Sequence, residues 1–457
     1  MKLNYKRTIW VGFAFFLICA FWQAYDNIIP LTLTNKFGLS QTASGFVMAM
    51  DNILALFMLP LFGAISDRHS SRLGKRTPFI LVGTLAAAVS FVGLSFVDNL
   101  QRTDIQALAG SSEPEAMMAA AWQTTAENPT TLVFFIGLLL AVLISMAIFR
   151  SPAVALMPDV TIKPLRSKAN AVINLMGALG GILVLVLGMV FATGADENAV
   201  MSYTGYFGAV AAIMLLALGL FLWKVREPRF VAQKQAQDEA YGIEEKEPID
   251  AGKRKLAKAE KRSLFFLLAS IVLWYMAYNA VTSKYSVYAT NVLNKDYNST
   301  LIIAQAAAIL SYLPVGMIAS RIGRKKSILA GVVMLTAAFA VAAFLREDSS
   351  TLLMNLMFIL AGIGWATINV NSFPMVVEMC RGGDVGKYTG IYYTASMAAQ
   401  TVTPLLSGFM MDRLGMTVLF PYAAVFAALA FVTMFFVMHG DNKPMAKRGL
   451  EALDVED

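Results

Sequence analysis

Twelve long apolar runs constrain this chain more than any other feature of its sequence. They cover roughly residues 9–33, 42–65, 78–98, 131–157, 170–193 and 203–224, then 264–290, 299–320, 327–345, 352–379, 388–411 and 417–438. At helical rise about 20 residues cross the ~30 Å of hydrocarbon in a bilayer. The runs show no period-2 alternation and are too long for barrel strands, so only helices satisfy their backbone groups in lipid. The expected fold is therefore an all-α membrane protein of twelve transmembrane helices. Composition agrees: 57% of the 457 residues are hydrophobic and 15% charged, a poor match to a soluble globular chain. Cys19 and Cys380 lie in or beside apolar runs, which leaves no disulfide framework and no four-cysteine metal site. The first run continues past Leu31 without a small-residue cleavage pattern, so it reads as a retained span.

Lys and Arg set the expected orientation. Thirty of the 37 fall in segments on one side of the twelve runs, six (Lys36, Arg102, Lys284, Lys295, Arg346 and Arg413) on the other, and Arg150 lies inside a run. This bias predicts cytoplasmic N- and C-termini in a plasma (inner) membrane. The net charge of +7 is thus spent on topology, in short clusters between apolar spans, and no nucleic-acid partner is expected. The segment 227–262 is rich in Lys, Glu, Gln and Ala and reads as a partly helical cytoplasmic linker between bundles 1–226 and 263–440, with a tail at 441–457. On the opposite side a long acidic loop, 98–130, has a possible short helix over Glu113–Ala126.

The halves are related. A shift of 253 residues aligns Ala24-Tyr25-Asp26 with Ala277-Tyr278-Asn279, Gly63 with Gly316 and Arg68 with Arg321. A second offset of 219 pairs Asp159 with Glu378 and Lys168 with Lys387. Consistent offsets across several helices indicate duplicated six-helix bundles, an arrangement that places substrate between the halves near the bilayer midplane.

The stretch Gly63–Ile80, GAISDRHSSRLGKRTPFI, and its degenerate copy from Gly316 to Lys326 resemble the loop signature of the major facilitator superfamily. In the copy Ser320 replaces the acid. The expanded first loop, with Ser66-Asp67-Arg68 and then Gly74-Lys75-Arg76-Thr77-Pro78-Phe79-Ile80, resembles the sucrose-type and glycoside-pentoside-hexuronide cation symporters. So does the run from Arg150 through Pro158-Asp159 to Arg166 and Asn170. The resemblance implies a conformational latch built from Gly63, Asp67, Arg68, Gly74, Lys75 and Arg76, and a cytoplasmic gate of Asp159, Arg166 and Glu378. Melibiose-type sodium symporters carry acids where this chain has Ala55 and Leu59. A proton is therefore the expected coupling ion in place of sodium, with no other cofactor.

Ionisable groups inside a span are costly, about 2.5–3.5 kcal/mol or more, so each needs a partner or a use. Asp26 and Asp51 are the candidate proton carriers. The competing reading bonds Asp26 to backbone loosened by Pro30 and pairs Asp51 with Asn52 or a neighbouring helix. Arg150 is a candidate for binding substrate or balancing an aspartate, or else pairs with Asp159 or Glu378; Lys284 is expected to snorkel to the surface. A second group consists of Trp22, Gln23 and Tyr25 in the first run, Trp274, Tyr278 and Asn279 in the seventh, and Trp365 and Asn369 in the tenth. The superfamily resemblance puts these runs around the cavity, where rings would stack on sugar C–H faces and amides bond hydroxyls. Packing or interfacial anchoring is the alternative for any single ring.

The glycines at 177, 180 and 181 fit close helix packing. No nucleotide loop, metal-ligand cluster or nucleophile with its base stands out, so an enzyme is not expected. The expected function is proton-coupled symport of a sugar or glycoside by a monomer in the lipid bilayer. Export of amphipathic small molecules by proton antiport, in a cavity suited by the 26 methionines, and a non-transporting sensor or scaffold are the alternatives.

Overall fold

The computed structural model describes residues 3–111, 113–195, 198–242, 257–379 and 385–440; most of the expected linker and the whole tail lie outside them. Twelve long helices match the apolar runs: α1 (Tyr5–Leu31), α2 (Gln41–Arg68), α3 (Thr77–Ala109), α5 (Thr130–Val160), α6 (Arg166–Val190), α7 (Thr204–Lys224), α9 (Lys258–Asn291), α10 (Tyr297–Ile322), α11 (Arg324–Ala342), α12 (Thr351–Glu378), α13 (Val385–Leu414) and α14 (Leu419–Phe435). Two shorter helices, α4 (Pro114–Glu127) and α8 (Glu227–Tyr241), lie between them. Among the described residues ten helices are long and apolar enough to span a bilayer by composition, and no strand is present.

Two boundaries differ from expectation for local reasons. Helix α1 does not stop near residue 33 but passes into a π turn, Thr32–Lys36, that ends at Gly38 with φ of 63°. Helix α3 continues past residue 98 to Ala109, because its added turns bury Ile105 against Met117, Ala120 and Ala121 of α4 before Gly110 stops it in the left-handed region.

The chain forms two units, Met1–Glu244 with Ser286–Ser299, and Glu245–Tyr285 with Thr300–Asp457. In the first, α1 packs most extensively on α6, and α3 and α2 on α5. The approach of α1 to α6 needs glycine: a Cβ on Gly180 would stand 2.6 Å from the Phe16 carbonyl oxygen. In the second unit α11 packs on α12 and α14.

Helix α13 accommodates much of its polar composition within itself. Thr394, Thr401, Thr403 and Ser407 return their hydroxyls to the carbonyls of Gly390, Met397, Ala399 and Thr403, at 2.6–2.9 Å. Each group is satisfied one turn back along its own helix.

Candidate functional site

Beyond its exposed first turns, which carry Tyr5, Lys6 and Ile9, and apart from Phe13, helix α1 is enclosed by protein except along one stripe. Phe15, Cys19, Trp22, Gln23 and Asp26 are half-buried, while Phe21, Ala24, Tyr25 and Ile28 between them are fully buried. The spacing of three and four residues puts the stripe on one helix face. An ionisable residue on the one open face of an otherwise enclosed membrane helix points to a polar cavity.

Asp26 has company there. Asp51 of α2 and Arg150 of α5 are near enough for their charges to act on it. Arg150 also lies over the Trp22 ring at 5.4 Å, and Trp22 meets Tyr25 edge-on with centroids 5.2 Å apart. The Tyr25 hydroxyl and the Trp22 Nε1 are buried without hydrogen-bond partners. Asp51 Oδ1 accepts from the side-chain amide of Asn52 at 2.8 Å, so the pairing considered from sequence is present, with Arg150 acting on the same carboxylate. Arg150 does not pair with Asp159, which is engaged by Arg76.

In the second unit the aromatic residues converge. Tyr278 of α9 lies parallel to Trp365 of α12, with centroids 3.7 Å apart and planes within 1°. Tyr275 meets Trp365 edge-on and its hydroxyl lies 3.4 Å from that of Tyr392 on α13. Asn279 and Asn369 each hold a buried polar atom without a hydrogen-bond partner, on the half-buried sides of α9 and α12. Trp274 instead joins Ile271, Ala277 and Ala280, all fully buried, on the packed face of α9. Lys284 does not snorkel: it is fully buried among Val281, Tyr285 and Tyr288, and the charge acting on it is that of Asp412.

The loop after α2 is a charge relay. Arg76, 6% exposed, donates from Nε to Asp159 at 2.7 Å, from Nη1 to Ser66 at 2.5 Å and from Nη2 to Asp67. Burial would lower its pKa, but the hydrogen bonds and charges of Asp159 and Asp67 outweigh that and hold the guanidinium above its ordinary range. Gly63 contributes its carbonyl to the same guanidinium, whereas the side chains of Arg68 and Lys75 are exposed. Arg166 donates to the carbonyls of Pro158 and Thr161, closing the end of α5. Glu378 ends α12, and its side chain lies outside the described residues.

One member of this relay was not foreseen. Glu227, placed by sequence in a tether, is 2% exposed and takes the N–H groups of Lys75, Arg76 and Thr77 and the Thr77 hydroxyl at 2.7–3.1 Å. Arg76 cannot cap α3 with its own side chain, so a carboxylate from α8 performs that task and meets the positive end of the helix dipole. Gly74, at φ of 113°, leaves the room that a Cβ would take from Glu227. The Pro228 that follows was a legible helix-start signal, but no local pattern tells which helix an acid will cap. The degenerate copy forms a different contact: Lys325 donates to the Phe435 carbonyl at 2.9 Å.

No cluster of His, Cys, Asp and Glu that could hold a metal is found among the described residues. Comparison with known proteins agrees with this architecture. The profile of the family described as MFS/sugar transport protein matches residues 11–411. Sucrose transport protein SUC3 of Arabidopsis thaliana is 33% identical over 146 residues, 32% of this chain and 23% of that protein. The MFS-type transporter ppzB of Metarhizium rileyi is 26% identical over 136 residues, 30% of this chain and 28% of that protein. The matches thus span about a quarter of the length of these curated relatives. Among solved structures, the xylose transporter XylE from E. coli in an inward open conformation aligns over 98% of this chain and 99% of its own, with a TM-score of 0.65 and 17% identity. The nucleoside transporter NupG aligns over 95% of this chain and 98% of its own, with a TM-score of 0.55 and 16% identity. At such identities these likenesses establish the fold alone. With its profile match across most of the sequence and its twelve long helices, the chain belongs to the MFS/sugar transport protein family and has the fold of a multi-pass membrane protein.

Proposed function

We propose that the transporter carries a sugar or glycoside by alternating access, driven by a proton taken up at Asp26 and Asp51. The observation that carries this reading is the open stripe of α1, where Asp26 shares its surroundings with Asp51, Arg150 and Trp22. Two acids beside one fixed cation have a charge balance that one proton changes, and a bound polyol can bond whichever carboxylate is ionised. The aromatic group of Tyr275, Tyr278 and Trp365, with Asn279 and Asn369, supplies stacking faces and amide groups suited to a sugar ring.

The relay of Asp67, Arg76, Asp159 and Glu227 acts in this reading as the latch that holds one state and is broken in the other. The N-terminus and the latch face the cytoplasm, in keeping with the Lys and Arg bias, and α4 faces outward. The protein works as a monomer.

Purified protein in detergent, screened with a panel of mono- and disaccharides and glycosides at pH 5.5 and 7.5, tests the reading. Selective binding raises the apparent melting temperature by mass action. The expected result is a sugar-selective rise that is larger at the lower pH, and accumulation of that sugar in proteoliposomes under an imposed pH gradient. A protein that no sugar stabilises, or whose flux ignores the gradient, overturns the assignment.

A further inference from the structure

Where α1, α7 and α8 meet, at one end of the first unit, positive charge is in excess. Residues 1–25 hold no acid, and residues 204–230 hold one, Glu227, whose carboxylate is spent on the start of α3. Against it stand Lys6 and Arg7 of α1, Lys224 in the last turn of α7, Arg226 at the cap of α8 and Arg229 within it. Arg7 joins α1 to α8 through neutral groups: it donates to the Gln233 amide oxygen at 3.3 Å and to the Val160 carbonyl at 2.9 Å, and lies over the Phe230 ring at 5.4 Å. Elsewhere in the unit basic side chains are paired, Lys36 with Asp98, Arg76 with Asp159 and Lys234 with Asp238. Among the described residues Lys6, Lys224, Arg226 and Arg229 have no carboxylate partner.

Lys224 is held in place by rings. Its Nζ lies 3.4 Å from the centre of the Trp223 ring and 5.7 Å from that of Trp10, and Trp10 stacks on Phe13 with centroids 5.7 Å apart and planes within 16°. Ring faces attract an ammonium but offer it no anionic oxygen, so its donors stay available to an anion. The surface beside it is apolar. Leu216 and Trp223, 69% and 64% exposed, stand with the exposed Leu220 on one face of α7, and Lys224 follows Leu220 by four residues. Ile9 and Tyr5 of α1 are exposed as well. An apolar stripe on a membrane helix meets acyl chains, and indole rings beside a cation at its end mark the level of the headgroups.

We infer that the corner formed by Trp10 of α1 and Trp223 and Lys224 of α7 is a binding site for an anionic phospholipid, with its phosphate at the Lys224 ammonium and an acyl chain along Leu220 and Leu216. Charge complementarity selects this occupant. A free phosphate would satisfy the ammonium and leave the apolar stripe uncovered. A zwitterionic lipid would cover the stripe but bring a cation of its own into a cluster that already has too many. An anionic lipid meets both demands, and the field of Lys6, Arg226 and Arg229 around the corner adds to its attraction.

The test counts lipid and needs no transport substrate. Full-length protein is reconstituted in vesicles of four parts phosphatidylcholine to one of phosphatidylglycerol, extracted in mild detergent, and its retained lipids are measured by native mass spectrometry. Retained phosphatidylglycerol should exceed the vesicle proportion by about fivefold or more, the factor that one basic side chain near an anionic headgroup supplies. Lys224→Gln with Trp223→Leu should bring retention to within about twofold of the vesicle proportion. Arg413→Gln, which removes an exposed cation lying over Phe409 in the second unit, should keep the parent's excess. Where the double variant does not fold, Lys224→Gln alone carries the same expectation. Retention at the vesicle proportion in the parent overturns the site, as does an undiminished excess in the Lys224 variants or an equal loss in Arg413→Gln. Displacement of the retained lipid by soluble glycerol phosphate would show that the anion suffices without its chains, and overturns the assignment to a lipid.

Discussion

Glu227 accepts both the backbone N–H and the hydroxyl of Thr77, at 2.8 and 2.7 Å, across 150 residues of chain. The start of α3 is thus held by a residue that follows the sixth membrane helix. Glu227→Ala leaves the buried N–H groups of Arg76 and Thr77 and the part-buried one of Lys75 to find water or go without, and an unsatisfied buried donor costs about 1–3 kcal/mol. Allowing for partial rescue by water, roughly 2–4 kcal/mol of stability should be lost, visible as a lower melting temperature in detergent. Glu227→Gln keeps one acceptor oxygen and should fall between the two. A melting temperature unchanged in Glu227→Ala would show that the cap is dispensable.

The three partners of Arg76 are not equivalent. Asp159 is 34% exposed and Asp67 62%, so water screens the second pair more. Asp159→Asn should destabilise by about 1–2 kcal/mol and Asp67→Asn by less than about 1 kcal/mol, compared in the same thermal assay. Arg76→Lys retains the charge but cannot span Asp159, Ser66 and Asp67 together, so it should resemble Asp159→Asn. Because the Arg76 pKa is raised in the folded protein, the guanidinium's contribution is complete below its ordinary value and is lost only as pH rises through the raised one. The difference between wild type and Arg76→Met should therefore stay level from neutral pH to about pH 10.

Replacing Asp26 with Asn removes a proton site and keeps the shape. Asp26→Asn should abolish accumulation driven by a pH gradient while leaving exchange of labelled substrate across proteoliposomes at a measurable rate. Uphill accumulation that persists in this variant excludes Asp26 as the coupling residue. Asp51→Asn tests the second acid in the same way.

Aromatic substitutions separate stacking from packing. Trp365→Ala and Tyr278→Ala remove a ring from the parallel pair and should raise the KM for transport about fivefold or more, since ring stacking with a ligand is worth on the order of 1 kcal/mol. Trp274→Phe, on the packed face, should leave KM within about twofold and lower the melting temperature instead. Equal KM effects at Trp274 and Trp365 would remove the distinction drawn between the two faces of α9.

Length and apolarity made the twelve helices legible, because a bilayer permits so few backbone solutions. The family was legible too, in a loop whose glycines and charges serve local geometry: Gly74 and Arg76 both have structural tasks visible in the fold. Longer-range relationships were hidden. Nothing near Lys36 announces Asp98, which lies 62 residues away within another helix. Lys284 was misjudged because depth along a helix was read without knowing which face is packed. Trp274 and Tyr278 are one turn apart and look alike in sequence, yet one is fully buried and the other stacks on Trp365.

The hydroxyls of α13 have a mechanical consequence. A membrane helix whose polar groups bond to neighbouring helices must break those bonds whenever it shifts. Thr394, Thr401, Thr403 and Ser407 carry their acceptors with them, on the same rod. Along these four positions helix α13 can therefore shift against its neighbours at the cost of dispersion contacts alone, and its polar ties are left to Tyr392, which meets the hydroxyls of Tyr275 and Ser372, and to Asp412.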